Sequence, residues 1–340
     1  MIRHTYLTWY WGYSCKERVR VNRDTMAPTV MKKHSFLVSL TNNDNDYQIE
    51  QAAAAKDSAR RLGVDLYLAY AENDAITQSQ QLLKAIQSPA GSPPDAIVLE
   101  PVGGTGLPQV ARAAAAAGIG WVVLNCDVEY IAELRKSYRV PIFAITSDHL
   151  EIGRIQGKQF SALLPKGGTV LYIQGPSGSP PAQQRTAGMT QSKPANVQIR
   201  MLKGQWTELS SYQAVCSWLR LRTSHDTLID VIAAQDDSMA IGARKAFQEQ
   251  TTGAERDKWL SLPFIGCDGL PDTGQAWVRS SLLTATVVVP PNTGLALEML
   301  VQAMRGGSQP QERTLTVPTS FPTTDDLAAK RTKIARAMSV

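Results

Sequence analysis

The sequence has little of what catalytic and metal-bound proteins usually display. Four of its 340 residues are cysteine and four are histidine. Cys15, Cys126, Cys216 and Cys267 stand singly. No two share the spacing of a zinc ligand set, so they offer neither a disulfide framework nor a metal site and read as free thiols. His4, His34, His149 and His225 fall into no acid–base or nucleophile arrangement. Ser147-Asp148-His149 puts three triad residue types side by side, but adjacent residues do not converge as a triad requires. No apolar run approaches the roughly 18 residues of a bilayer span; the longest stretch free of strongly polar residues, 113–124, contains two glycines. Neither catalysis nor a cofactor is expected.

What is present is an ordinary globular composition, 43% hydrophobic and 19% charged, in a chain long enough for two domains. The net charge of +5 sits in the tails. Arg3, Lys16, Arg18, Arg20 and Arg23 outweigh Glu17 and Asp24 at one end, and Lys330, Arg331, Lys333 and Arg336 outweigh Asp325 and Asp326 at the other. The body between them is neutral, whereas a nucleic-acid binder carries its basic face on the folded body. Residues 1–31 read as a leader without regular structure: five aromatics crowd between Tyr6 and Tyr13, and the pattern of an export signal is poorly met.

From Phe36 onward, short apolar runs alternate with helix-like stretches. Strands are expected at 36–40, 66–69, 96–99, 121–124, 142–145, 170–173, 197–202, 231–234, 264–267 and 285–289. Helices are expected at 48–62, 76–87, 107–117, 150–164, 210–221, 238–250 and 291–304. Near-continuous apolar strands alternating with helices mean parallel sheets covered on both faces. About five such units followed by about four more predict two doubly wound α/β lobes. Ligands in such folds sit beyond the carboxyl ends of the strands, which directs attention to loops beginning at Thr41, Tyr70, Glu100, Asn125, Gly175, Gln235 and Asp268.

The first of these loops, Thr41 to Tyr47, is rich in amides and ends in an aromatic. It lacks the glycine and glutamate of a calcium loop and any glycine of a dinucleotide turn; Asp44 or Asp46 could cap the following helix. Gly103-Gly104-Thr105-Gly106 lacks the lysine and Ser/Thr of a phosphate loop and reads as a turn. Asn125-Cys126-Asp127 sets an amide beside a carboxylate, Arg185 follows a Gly/Ser/Pro-rich loop, Trp206 stands in a polar stretch, and Gln235-Asp236-Asp237 and Cys267-Asp268-Gly269 follow apolar strands. Trp206 alone could equally be a core residue. Together these groups suit a sugar: carboxylates and amides take adjacent hydroxyls, and aromatic faces cover its C–H face.

These positions resemble the type I periplasmic sugar-binding proteins, the ribose-binding-like group, which shares its fold with LacI-type effector domains. The segment from Ala234 to Ala243, followed by Ile265-Gly266-Cys267-Asp268-Gly269, carries most of the likeness; Ser39 to Asn43, Thr146-Ser147-Asp148, Gln184 to Gly188 and Ala285-Thr286-Val287 support it. The resemblance implies two lobes joined by a three-crossing hinge, with crossings near 145–148, 288–290 and 314–318. One lobe would be 32–146 plus 290–314, the other 147–289 plus 315–340, closing on ligand. Matched motif by motif, the ligand contacts fall on Asn43, Tyr47, Asn125, Arg185, Trp206, Gln235 and Asp268, with Asp236 beside Gln235. Three departures argue against ribose itself: Asn125-Cys126 stands where Asp-Arg is common, with Asp127 available to compensate; Tyr47 stands where two aromatics are usual; and Val289 stands where a polar residue is frequent.

The role implied is that of a monomeric, non-enzymatic receptor in the periplasm or cell envelope. It would deliver a small carbohydrate to an ABC-type importer or a sensor, without binding nucleic acid or inserting into the membrane. The alternative is a cytoplasmic sugar sensor lacking a DNA-binding domain, because about 35 residues before the first strand are too few for a helix-turn-helix domain and lack its pattern.

Overall fold

A computed structural model describes residues 33–337, apart from 89–92, 105 and 222–227. The expected leader, with Cys15 and His4, lies outside the described residues, as does His225. The first half of the chain gives β1 (Ser35–Leu40), α1 (Asp46–Leu62), β2 (Asp65–Tyr70), α2 (Ala75–Ile86), β3 (Ala96–Leu99), α3 (Pro108–Ala116), β4 (Gly120–Leu124), α4 (Tyr130–Ser137) and β5 (Ile142–Ser147). The second half opens with α5 (His149–Leu163), β6 (Gly168–Gln174), α6 (Pro180–Ser192), β7 (Val197–Lys203), α7 (Glu208–Leu219), β8 (Val231–Ala234) and α8 (Asp237–Gln250). It continues with α9 (Gly253–Ser261), β9 (Phe264–Ile265), α10 (Gly274–Arg279), β10 (Thr286–Val288), α11 (Thr293–Gly306), β11 (Arg313–Thr316), β12 (Thr319–Phe321) and α12 (Thr324–Ala337).

Two sheets result. The first runs β2-β1-β3-β4-β5-β11, all parallel. The second runs β7-β6-β8-β9, also parallel. Isolated bridges, Ile265 to Ala285 and Asp268 to Val288, continue it to β10, and β12 pairs antiparallel with β10. Each sheet therefore reverses its strand order beside its own first strand, at β1/β3 and at β6/β8. A doubly wound sheet opens its ligand crevice at such a switch point.

Both sheets are covered on both faces because their strands are apolar without alternation: β3, β4 and β8 are buried throughout. Phe36, Val38, Phe143 and Leu297 form a core on one face of the first sheet, and Trp121, Leu82 and Val110 on the other. Phe247, Trp218 and Trp259 fill one face of the second sheet, and Phe160, Tyr172 and Met189 the other. The chain passes between sheets three times: from β5 to α5, which packs against α6; from β10 to α11, which packs against α1; and from β11 to β12. These passages fall where the hinge crossings are expected. None of the described helices is long and apolar enough to cross a membrane.

Two elements differ instructively from expectation. The strand expected over 264–267 stops at Ile265, where Gly266 lies so close to Asp237 that an added Cβ would sit 1.9 Å from its Oδ1. The cap of α1 is Asn45, not Asp44 or Asp46; its side chain accepts from the backbone N–H of Tyr47 and Gln48.

Candidate functional site

The carboxyl ends of both sheets face one cavity of about 620 Å³. Its first wall comes from the loops after β1, β2, β3 and β4. Asn42 accepts from the backbone N–H of Asp44 and Asn45, and donates to Asn73 at 3.0 Å. Glu100 begins the loop after β3. Buried Gln78 holds that loop by donating to the Glu100 carbonyl at 2.9 Å and accepting from Val102 N–H at 2.9 Å. Behind the wall runs a chain of amides. Gln51 donates to Asn292 at 2.7 Å and weakly to Glu100 at 3.4 Å; Asn292 donates to Asn125 at 2.8 Å; Ser147 donates to the same Asn125 oxygen at 3.3 Å. Tyr47 lines the cavity and packs among Ile152, Ile155, Val287 and Val289, so residues of the first-sheet helix and the second-sheet elements share a cluster.

The second wall carries the charges. Arg185, on α6, is buried; its guanidinium lies 3.9 Å from Asp268, bonds the Gln235 carbonyl, and sits 5.3 Å from the centre of the Trp206 ring. Close helix packing fixes it: a Cβ on Gly153 of α5 would meet the Arg185 carbonyl at 2.0 Å. Arg185 Nε faces His149 Nδ1 at 3.5 Å, while His149 Nε2 is buried without a partner. Burial, aided by Arg185, holds the imidazole well below its ordinary pKa, so it is neutral. Asp236 accepts from Met239 N–H at 2.5 Å with Oδ1, and Oδ2 is buried without a partner. Burial pushes Asp236 up to about 6 and Asp268 well above the usual carboxylate range, Arg185 opposing in both cases. Asp237 lies behind them. It accepts from Gly269 N–H and Thr286 Oγ1, each at 2.7 Å, and burial pushes it up to about 8.

Four lining residues, Asn73 (φ 60°), Asn125 (φ 53°), Trp206 (φ 61°) and Asp268 (φ 106°), hold left-handed backbone that non-glycine residues seldom adopt. Such strain gathers at ligand sites whose surroundings over-determine the geometry. Trp206 is clamped in addition by Gly175, where a Cβ would lie 2.4 Å from the indole.

Of the residues singled out from sequence, the cavity brings together Tyr47, Asn125, Arg185, Trp206, Asp236 and Asp268. It leaves out three. Asn43 is exposed, and its neighbours Asn42 and Asn45 line the cavity instead, because the loop turns on the Asn42 side chain. Asp127 is exposed and paired with Arg313 at 2.8 Å. Gln235 is wholly buried as a brace: its amide accepts from Gly175 N–H at 2.9 Å and donates to the Ala182 carbonyl at 3.0 Å, placing both ends of the loop that precedes Arg185. Asp148, of the tempting Ser-Asp-His run, caps α5 by accepting from Glu151 N–H. Glu100, Gln48 and His149 line the cavity and were missed. Glu100 had a signal, being the first residue after an apolar strand. Cys126 lines the cavity as a free thiol that burial pushes up to about 11. Among the described residues, no three His, Cys, Asp or Glu side chains converge as a metal requires.

Twin parallel sheets with one polar crevice between their switch points define a two-lobed ligand-binding protein. Residues 36–308 match the family described as periplasmic binding protein domain, and the chain belongs to that family. It is 24% identical over 287 residues to Galactofuranose-binding protein YtfQ of Escherichia coli (strain K12), covering 83% of this chain and 86% of that one. To the Ribose import binding protein RbsB of the same organism it is 23% identical over 269 residues, 79% of this chain and 83% of that one. Among solved structures, it is similar to the periplasmic binding protein component of the arabinose ABC transporter from Shewanella sp. ANA-3, bound to α- and β-L-arabinofuranose. There the TM-score is 0.71 at 23% identity, over 90% of this chain and 98% of that one. These relatives are binding proteins.

Proposed function

We propose that this chain is a non-enzymatic receptor that captures a small sugar or polyol in the cavity between its lobes and hands it to an ABC-type importer or a sensor. The observation that carries this reading is the Arg185–Asp268 pair beneath the Trp206 indole, set in a crevice sized for a small molecule. Asp268, Asp236 and Arg185 take adjacent hydroxyls from one side, Asn42, Asn45 and Asn125 from the other, and Tyr47 and Trp206 cover the apolar face. The hydroxyl-rich ligands of the relatives support the same reading. Their transporter setting supports a place in the periplasm and a membrane permease as partner, with the chain acting as a monomer.

The lobes, 32–146 with 290–314 and 147–289 with 315–340, close on the ligand by a hinge motion. Asn45 already donates to the Trp206 carbonyl at 3.1 Å, and Ser238 to Asp46 at 3.2 Å, across the cleft mouth. A thermal-shift screen of pentoses, hexoses, polyols and nucleosides tests the function. A ligand at 100 times its Kd stabilises by about 2.7 kcal/mol, and scattering then reads compaction. A screen with no shift from any sugar or polyol would sink the reading.

A further inference from the structure

The charges lining the cavity do not balance. Glu100, Asp236 and Asp268 face a single fixed cation, Arg185, with His149 neutral beside it. Arg185 lies against Asp268, so two carboxyl groups stand in no ion pair among the described residues. Asp236 is 2% exposed with Oδ2 unpartnered, but it shares the second wall with the guanidinium, whose field reaches it. Glu100 is different. Among the described residues it is the only charged one that the first wall brings to the cavity, it stands in no ion pair, and its neighbours are the neutral amides Gln48, Gln51 and Asn125. Burial raises its carboxyl above the ordinary range, against hydrogen bonds from Gln48, Asn125 and Gln51 that favour the charged form.

A hydroxyl-rich ligand gives such a group hydrogen bonds but leaves its charge uncompensated. An ammonium gives both, three donors and the missing positive charge. We infer that the ligand is an amino-substituted sugar or polyol whose ammonium pairs with Glu100 while its hydroxyls meet Arg185, Asp236 and Asp268; this rests on the reading of the cavity as a sugar or polyol site. The surplus carboxylates by the same argument repel sugar acids and sugar phosphates.

Matched pairs that differ in one group test the inference by calorimetry on the full chain: D-glucosamine with D-glucose, 3-amino-3-deoxy-D-ribose with D-ribose, and 1-amino-1-deoxy-D-sorbitol with D-sorbitol. In the best-binding pair the amino member binds at least about tenfold tighter than its hydroxyl partner. Glu100→Gln cuts the amino preference within that pair, the ratio of the two affinities, by about tenfold or more. A hydroxyl partner that binds as tightly as the amino member overturns the inference and leaves the sugar-receptor reading standing. So does a folded Glu100→Gln chain that keeps the amino preference; should that variant not fold, the wild-type pairs alone decide. If neither kind of ligand binds, the receptor reading falls and the inference with it.

Discussion

The two walls of the cavity are made of different material. The first is a row of neutral amides backed by more amides, from Asn42 through Asn125 to Asn292, with Glu100 the one charge among its described lining residues. The second sets Arg185, Asp236 and Asp268 on a buried scaffold of Gln235, Tyr172 and Asp237. The amides already commit their oxygens to the protein: Asn42 and Asn45 accept from backbone N–H groups, and Asn125 accepts from Asn292 and Ser147. The charged wall keeps acceptors open, since Asp236 Oδ2 has no partner and Asp268 meets Arg185 at 3.9 Å. The second wall therefore offers ligand hydroxyls the stronger open acceptors, and the first a fixed frame.

Breaking the charged wall should cost most. Arg185→Ala, or Asp268→Ala, is expected to weaken sugar binding by about 2 kcal/mol or more, because the partner stays buried and unpaired; calorimetry giving wild-type affinity in both variants would remove them from the site. Next comes the aromatic lid of that wall. Trp206→Ala should lose about 1–3 kcal/mol of affinity, by analogy with bases stacked on aromatics, while Trp206→Phe keeps most of it. Tryptophan emission should change on binding in wild type and less in Trp206→Phe. Normal binding by Trp206→Ala, without compaction in scattering, would make Trp206 an ordinary packing residue. On the amide wall, Asn45→Ala removes the α1 cap and the bond to the Trp206 carbonyl; about 1 kcal/mol of stability should go, with a smaller loss of affinity than on the opposite wall. An equal loss on both would erase the contrast.

The scaffold behind the charged wall also predicts a pH response. Asp237 is pushed to about 8 from an ordinary 3.8. The folded chain thus holds a proton there that the unfolded chain releases near pH 4. Its contribution to stability is complete below that point and is lost as pH rises towards 8. The ligand-free protein should melt a few degrees higher at pH 5 than at pH 8, and Asp237→Asn, which can still accept from Gly269 and donate to Thr286, should flatten that slope. A melting temperature that rises with pH over this window would contradict the burial of this carboxylate. The smallest expected effect is none: thiol titration of the unfolded, unreduced chain should find four free groups, and two would mean a disulfide.

The fold was legible because burial on both faces leaves apolar runs that need no alternation to be seen; β3 and β8 fall on their expected residues. What escaped were elements with a wet face. β11, Arg313–Thr316, alternates exposed and half-buried residues at a sheet edge, and α6 opens with two prolines and is mostly polar. In the site, the rule of looking just past each strand found the right loops but could not say which way a side chain turns. Asn125 and Asp268 face the cavity from left-handed backbone, whereas Gln235, in the equivalent place, is held in the interior. Glu100 satisfied the same rule, yet the glycines after it drew attention as a turn.

The left-handed backbone at Asn73, Asn125, Trp206 and Asp268 has a practical consequence for retargeting the cavity to another ligand. At those four positions the usable alphabet is short: Gly, Asn and Asp adopt the conformation at low cost, and a β-branched residue would distort the loop. Glu100 carries no such restriction, being absent from the positive-φ residues. A combinatorial library aimed at a new sugar should diversify that position fully and hold the four, together with buried Arg185 and Gln48, nearly constant.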